Sequence, residues 1–356
     1  MRTGRQMVYV GGRRPLELRT VEVGDPPPGA VLVRTTIAGV CGTDAHRLDG
    51  DLPEPGFPVC FGHEGIGVVE ALGAGVTTDT TGVALHVGDT VFFNPSGPRP
   101  GVPSPPGWPA PADRPNPAAY QDHATLPPGN ICYRIPDDCD PEAVIAFGCA
   151  MPTALGGIQR LGGIAPGESV LVQGCGPVGL SATLLASLSA ARQVIVIGAP
   201  DNRLQAASVL GATTIIPVLT TTAEERKAQV LELTDGRGPE AIIEATGRME
   251  AFPEGMDLLA AGGRYLVMGL YSGHGTVPLD VIRLNNLSQR VIGTMGVVDN
   301  RDYLTTIHLA RRHGARLRFA DLITHRFGLT QLEAAIDTAR RGEAIKAIVQ
   351  PALDAG

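Results

Sequence analysis

A glycine-rich turn set between two short strands constrains this chain more than any other feature. Ser169-Val-Leu-Val-Gln173 is an apolar run of strand length. Gly174-Cys175-Gly176-Pro177-Val178-Gly179 follows directly. A helix-like run from Leu180 to Ala190 comes next, and then a second strand, Gln193-Val-Ile-Val-Ile197. A lone GxGxxG is weak evidence. One that ends a strand, opens a helix and leads to a second strand points to a doubly wound, dinucleotide-binding Rossmann unit. Gly174, Gly176 and Gly179 let the backbone approach a pyrophosphate, and Pro177 and Val178 open the helix whose N-terminus meets its charge. Cys175 reads as a filler, with no redox partner near it.

The second strand should end in an acid if an NAD ribose is bound in the usual way. Gly198 stands there instead, followed by Ala199-Pro200-Asp201-Asn202-Arg203. Losing the acid removes the repulsion that excludes a 2′-phosphate, and Arg203 can reach the ribose or its phosphate. No Arg follows Gly198 directly, and Asp201 opposes a phosphate. NAD and NADP both stay open. Further βα units continue the pattern: a helix over Leu204–Leu210, a strand at Thr214-Ile215-Ile216, a helix over Ala223–Leu233, and strands at Pro239–Ala245 and Gly263–Gly269.

The N-terminal part reads differently. Met7–Val10, Leu16–Val23, Val31–Ile37, Gly65–Leu72 and Val87–Val91 are short strands punctuated by Gly and Pro, the mark of a small β-barrel-like domain. Val31–Ile37 alternates as a half-buried strand does and delivers Cys41 to a loop. Helical patterns run from Pro141 to Phe147, from Pro152 to Leu161, and from Gln331 to Arg340. Asn94–Pro117 carries ten prolines and the single Trp108, so an extended loop is expected there, capping a substrate cleft, packing at a subunit contact or simply lying on the surface.

Three potential ligands are spread along the chain: Cys41, His63 and Cys149. Alone, Cys149 reads as a buried core cysteine and His63 as a structural histidine. Together they are the donors zinc prefers, and a catalytic zinc keeps a fourth position for water or substrate. Two thiolates and a neutral imidazole balance the ion's two charges and leave it a Lewis acid able to lower the pKa of an alcohol proton. Gly62 and Gly65 flank His63-Glu64, as expected where backbone bends or passes closely. Glu64 suits a carboxylate beside the metal, or an alternative ligand when water leaves; by itself it is a surface charge.

Cys41-Gly-Thr-Asp-Ala-His46 followed by Gly62-His63-Glu64-Gly65 resembles the zinc-dependent medium-chain dehydrogenases, the alcohol, threonine and polyol dehydrogenase superfamily, over nearly the whole chain. The resemblance implies an α/β protein, a Rossmann doubly wound parallel sheet plus a GroES-like β-rich catalytic domain. Residues 1–152 and 292–356 would form the catalytic domain and 153–291 the dinucleotide domain. It implies an oxidoreductase that moves a hydride between an alcohol or its carbonyl partner and NAD(P). Thr43 would hydrogen-bond the substrate alcohol and His46 pass its proton to solvent, a relay a buried site needs. Thr153, Met268, Gly269 and Leu270 would join the cofactor site, the last three beside the nicotinamide, and Lys346 would contact the pyrophosphate. In many relatives four close cysteines hold a second, structural zinc. No Cys occurs between Cys60 and Cys132, so one catalytic zinc per chain is expected. Relatives are homodimers or homotetramers.

Composition excludes other classes. The net charge of −7 argues against nucleic acid as a partner. No apolar span is long enough to cross a bilayer, and Met1–Leu18 is too polar for a signal peptide. Six sparse cysteines fit a reducing, cytoplasmic location better than a disulfide framework. Two rival readings keep the fold: a zinc-independent quinone or enoyl reductase, and a non-catalytic nucleotide-binding relative. The first does not need Cys41, His63, Glu64 and Cys149 together, and intact relay residues argue against the second.

Overall fold

A computed structural model describes residues 2–52, 56–95, 112–271, 275–296, 299 and 301–355. The chain divides into two compact units, Met1–Cys149 with Tyr303–Gly356, and Ala150–Asp302.

In the first unit, strand Val31–Gly39 is central. Gly65–Leu72 pairs with it antiparallel on one side, and Lys346–Val349 and His123–Leu126 pair with it on the other. It is not half-buried as its alternation suggests: Arg34 alone in it is exposed, because both faces are covered. The sheet continues through Thr90–Asn94 to Ile131–Arg134 and, at the opposite edge, through Lys346–Val349 to Ile323–Phe327. A three-stranded sheet sets Arg2–Tyr9 between Glu17–Val23 and Val59–Cys60. Tyr9, Val33, Phe61, Phe93, Tyr120 and Ile336 belong to the apolar core shared by these elements. The cysteine motif opens a helix, Gly42–Asp49, rather than a loop. Of the proline-rich stretch, Pro98 to Pro111 and Trp108 lie outside the described residues.

In the second unit, six parallel strands run in the spatial order Thr214–Pro217, Gln193–Gly198, Ser169–Gln173, Ala241–Glu244, Arg264–Val267, Arg290–Gly293. This is the doubly wound arrangement the glycine motif implies. The order reverses beside Ser169–Gln173, so the carboxyl ends of that strand and of Ala241–Glu244 flank the switch point where such sheets bind ligands. The domain boundary needs correction. Val291 and Ile292 pair with Tyr265 and Leu266, giving Arg264–Val267 its second parallel neighbour. The chain therefore stays in this unit until Asp302 and does not return at 292. No helix among the described residues is long and apolar enough to cross a membrane.

Candidate active site

Cys41 ends the central strand's run and caps helix Gly42–Asp49. Its N–H donates to Asp44 Oδ2 at 2.9 Å, so the motif's own acid closes the first turn. His63 follows Gly62, whose φ of +98° turns the chain toward the sheet and whose missing Cβ leaves room for the Tyr120 ring. Cys149 follows Gly148. Ligand atoms of Cys41, His63, Glu64 and Cys149 all lie within 4.8 Å of one another. The two sulfurs are 3.4 Å apart. Tetrahedral zinc with ordinary Zn–S bonds needs about 3.8 Å between sulfurs, so the donor set fits this ion after a small adjustment.

The charges around the cluster are ordered. His63 Nδ1 stands 3.6 Å from Asp44 Oδ1. Asp44, 1% exposed, also accepts from the Tyr120 hydroxyl at 2.7 Å. An acid behind a ligating imidazole fixes its tautomer and raises its basicity. Burial alone would lower the His63 pKa, yet Asp44 and Cys41 hold it well above the ordinary range. Cys41 is pushed well below the usual thiol range, first by the Cys149 thiol that donates to it. Cys149 is pushed well above it by the same bond and by burial. A coordinated ion would hold both sulfurs as thiolates.

Glu64 is 1% exposed. Its Oε1 accepts the Cys149 N–H at 2.7 Å, and its Oε2 takes the Lys346 ammonium. Gly39 and Gly148 make room for it: a Cβ would meet Oε2 at 2.0 Å from the first and the carboxyl carbon at 2.3 Å from the second. Lys346 is thus beside the ligands, paired with Glu64 and donating to Val40 O at 3.1 Å. Its charge, expected at a pyrophosphate, is engaged here by Glu64.

Thr43 and His46 sit three residues apart on one helix, hence on one face. Thr43 Oγ1 lies 3.5 Å from Cys41 Sγ. His46 Nδ1 lies 2.8 Å from Asp51 Oδ2, both side chains about a third exposed.

In the other unit the glycine motif takes its expected shape. Gly176 caps helix Pro177–Leu188, with Pro at the first turn. A Cβ on Gly179 would meet Gly174 O at 2.0 Å, whereas one on Gly176 would meet nothing within 4 Å. The first glycine packs helix on strand, and the second leaves the approach to the helix N-terminus open. Cys175 is more than a filler. Its Sγ donates to Ala199 O at 3.3 Å and would stand 2.4 Å from any Cβ at Gly198. Arg203 lies in the first turn of helix Asp201–Val209 with its pKa lowered by burial. Thr153 is part-buried in helix Ala150–Leu161. Met268, Gly269 and Leu270 follow strand Arg264–Val267. Glu244, wholly buried, ties two loops together by accepting from Thr246, Gly247 and Gly269 N–H groups.

Asp44, Tyr120 and Glu244 were not singled out by the sequence. The spacing Cys41-x-x-Asp44 carries a capping signal that could have flagged Asp44. Tyr120 lies 76 residues from its partner, and nothing local marks it.

Comparisons with known proteins agree with this geometry. Residues 27–137 match the alcohol dehydrogenase GroES-like domain, and residues 177–316 match the zinc-binding dehydrogenase domain. The chain is 39% identical to 5-exo-hydroxycamphor dehydrogenase of Pseudomonas putida, over 99% of this chain and 100% of that protein. It is 29% identical to sorbitol dehydrogenase of Gallus gallus, over 98% and 97%. The crystal structure of an alcohol dehydrogenase from Thermotoga maritima superposes with a TM-score of 0.88 at 28% identity, covering 98% of this chain and 100% of that one. The chain belongs to the zinc-dependent medium-chain dehydrogenase superfamily and is an oxidoreductase that acts on alcohols.

Proposed function

We propose that the protein interconverts a primary or secondary alcohol and its carbonyl partner with NAD or NADP, using one zinc ion held by Cys41, His63 and Cys149. What carries this reading is the convergence of four ligand atoms within 4.8 Å from segments far apart in the chain. Zinc there supplies Lewis-acid polarisation of the substrate oxygen, and the nicotinamide supplies hydride chemistry. Thr43 takes the alcohol proton at its hydroxyl oxygen, 3.5 Å from the Cys41 sulfur, as its own hydroxyl proton passes on toward His46. His46, one turn along and paired with Asp51 at the surface, releases that proton to solvent. Asp44 and Tyr120 keep the His63 ring in one orientation. Gly174, Gly176, Pro177, Val178 and Gly179 hold the pyrophosphate by backbone N–H groups. Thr153, Met268, Gly269 and Leu270 complete the cofactor site. Gly198 and Arg203 admit either a ribose or its 2′-phosphate, since Cys175 leaves no space for an acid.

The hydroxycamphor relative makes cyclic secondary alcohols the first substrates to assay. Zinc analysis of Cys41→Ser with turnover on an alcohol panel is the test. The variant should lose zinc and activity together; full zinc with normal turnover would refute the assignment. A reducing, cytoplasmic setting suits six free cysteines. We further infer a homodimer or homotetramer. Among the described residues strand Arg290–Gly293 is paired on one side only, and Val291 and Met295 expose apolar side chains there, Met295 at 70%.

A further inference from the structure

The four clustered side chains pose a problem that the proposed metal site must solve. Glu64 brings a carboxylate within 4.8 Å of two thiols and an imidazole. An ion that took all four would be closed, as structural zinc sites are, with no position left for substrate. Something must keep this carboxylate to itself.

Lys346 has the position to do so. It is 2% exposed, and its ammonium bridges Glu64 Oε2 and Val40 O. Oε1 is meanwhile held by the Cys149 N–H. Both oxygens of the carboxylate are therefore engaged. The ammonium cannot drift, because its strand is fixed by backbone pairing of Ile348 with Gly39 and by the Val40 N–H to Ala347 O bond of 3.0 Å. One cation thereby touches the chain before Cys41, the residue after His63 and, through Glu64, the backbone of Cys149.

We propose that Lys346 is a positioning residue that holds Glu64 out of the metal's coordination sphere and so keeps the fourth position open. The inference rests on the zinc reading above. Removing the ammonium frees one oxygen of a buried carboxylate beside a divalent ion, and coordination becomes its only compensation.

Cobalt(II) substitution reads this directly, because its visible bands report ligand number and its thiolate bands report the cysteines. Imidazole serves as the probe of the open position; being neutral, it is little affected by the loss of a nearby cation. Wild-type cobalt protein should show a spectral shift on titration with imidazole. Lys346→Met should bind cobalt with altered bands and answer imidazole roughly tenfold or more weakly, within the range seen for groups that orient metal ligands. Lys346→Arg should restore the response, and so should the double variant Lys346→Met/Glu64→Gln, whose amide is a poor ligand. A merely structural lysine would not give that pattern of rescue. Should Lys346→Met not fold, Lys346→Gln carries the same expectation. Unchanged cobalt bands and imidazole affinity in whichever variant folds would overturn the proposal alone. Wild-type protein that takes up no cobalt would overturn the metal reading as well.

Discussion

Two thiols 3.4 Å apart are held in opposite states by their neighbours. Cys41 receives the bond from Cys149 and the influence of His63 and Lys346, all favouring thiolate. Burial raises the other four: Cys60 and Cys132 are pushed up to about 12, Cys139 to about 11, and Cys175 upward as well. Alkylation requires the thiolate. A lowered pKa keeps Cys41 reactive as pH falls from about 9 to about 7, whereas thiols near 12 are protonated throughout that range. Metal-free protein should therefore incorporate one fast equivalent of iodoacetamide at Cys41, at a rate that falls less steeply over this interval than that of an ordinary thiol, and zinc should protect it. Peptide mapping after a short pulse checks the site. Tyr120 allows a second test at this scale. Tyr120→Phe keeps the ring against Phe61 and removes the hydroxyl's bonds to Asp44 and to Gly39 O. A buried bond to a charged group contributes about 1.5–3 kcal/mol, so denaturant unfolding should register a loss of that size. Zinc should also leave to a chelator roughly tenfold faster, because the acid behind His63 is less firmly held.

At the scale of elements, the strand–turn–helix from Ser169 to Leu188 should respond differently to two similar substitutions. Gly179→Ala places a methyl 2.0 Å from the Gly174 carbonyl and must push helix from strand, so both melting temperature and dinucleotide affinity should fall. Gly176→Ala adds a methyl to open space, so folding should be unaffected while dinucleotide binding weakens at least several-fold through the lost close approach. Thermal melts with and without NAD and NADP separate the two. This element was legible in the sequence because each of its signals is local. Helix Gly42–Asp49 was not: Gly and Thr at its start are weak helix formers. The local bond from the Cys41 N–H to Asp44 and the tertiary bond from Tyr120 to Asp44 hold its first turn.

For the whole molecule, the first unit is assembled from both ends of the chain. The buried cation against Glu64 therefore comes from a strand 282 residues further on. The other feature at this scale is strand Arg290–Gly293, paired on one side only among the described residues. Met295→Glu combined with Val291→Lys puts charges on this edge and should shift the protein to a smaller species by light scattering, with each unit's zinc or cofactor binding retained. An unchanged mass would place the subunit contact elsewhere.

What the residues determined unaided was whatever depends on neighbours in the chain: the glycine turn, most of the parallel strands, the metal-binding residue types and the membership they imply. Lys346 marks the limit. Its sequence context is an ordinary strand lysine, and only pairing of Lys346–Val349 with Val31–Gly39 carries it to Glu64. The second domain boundary failed for the same reason, since Val291 joins whichever sheet offers an unpaired edge. Hydrogen-bonding and charge partners chosen across hundreds of residues follow from packing, and local pattern holds no record of them.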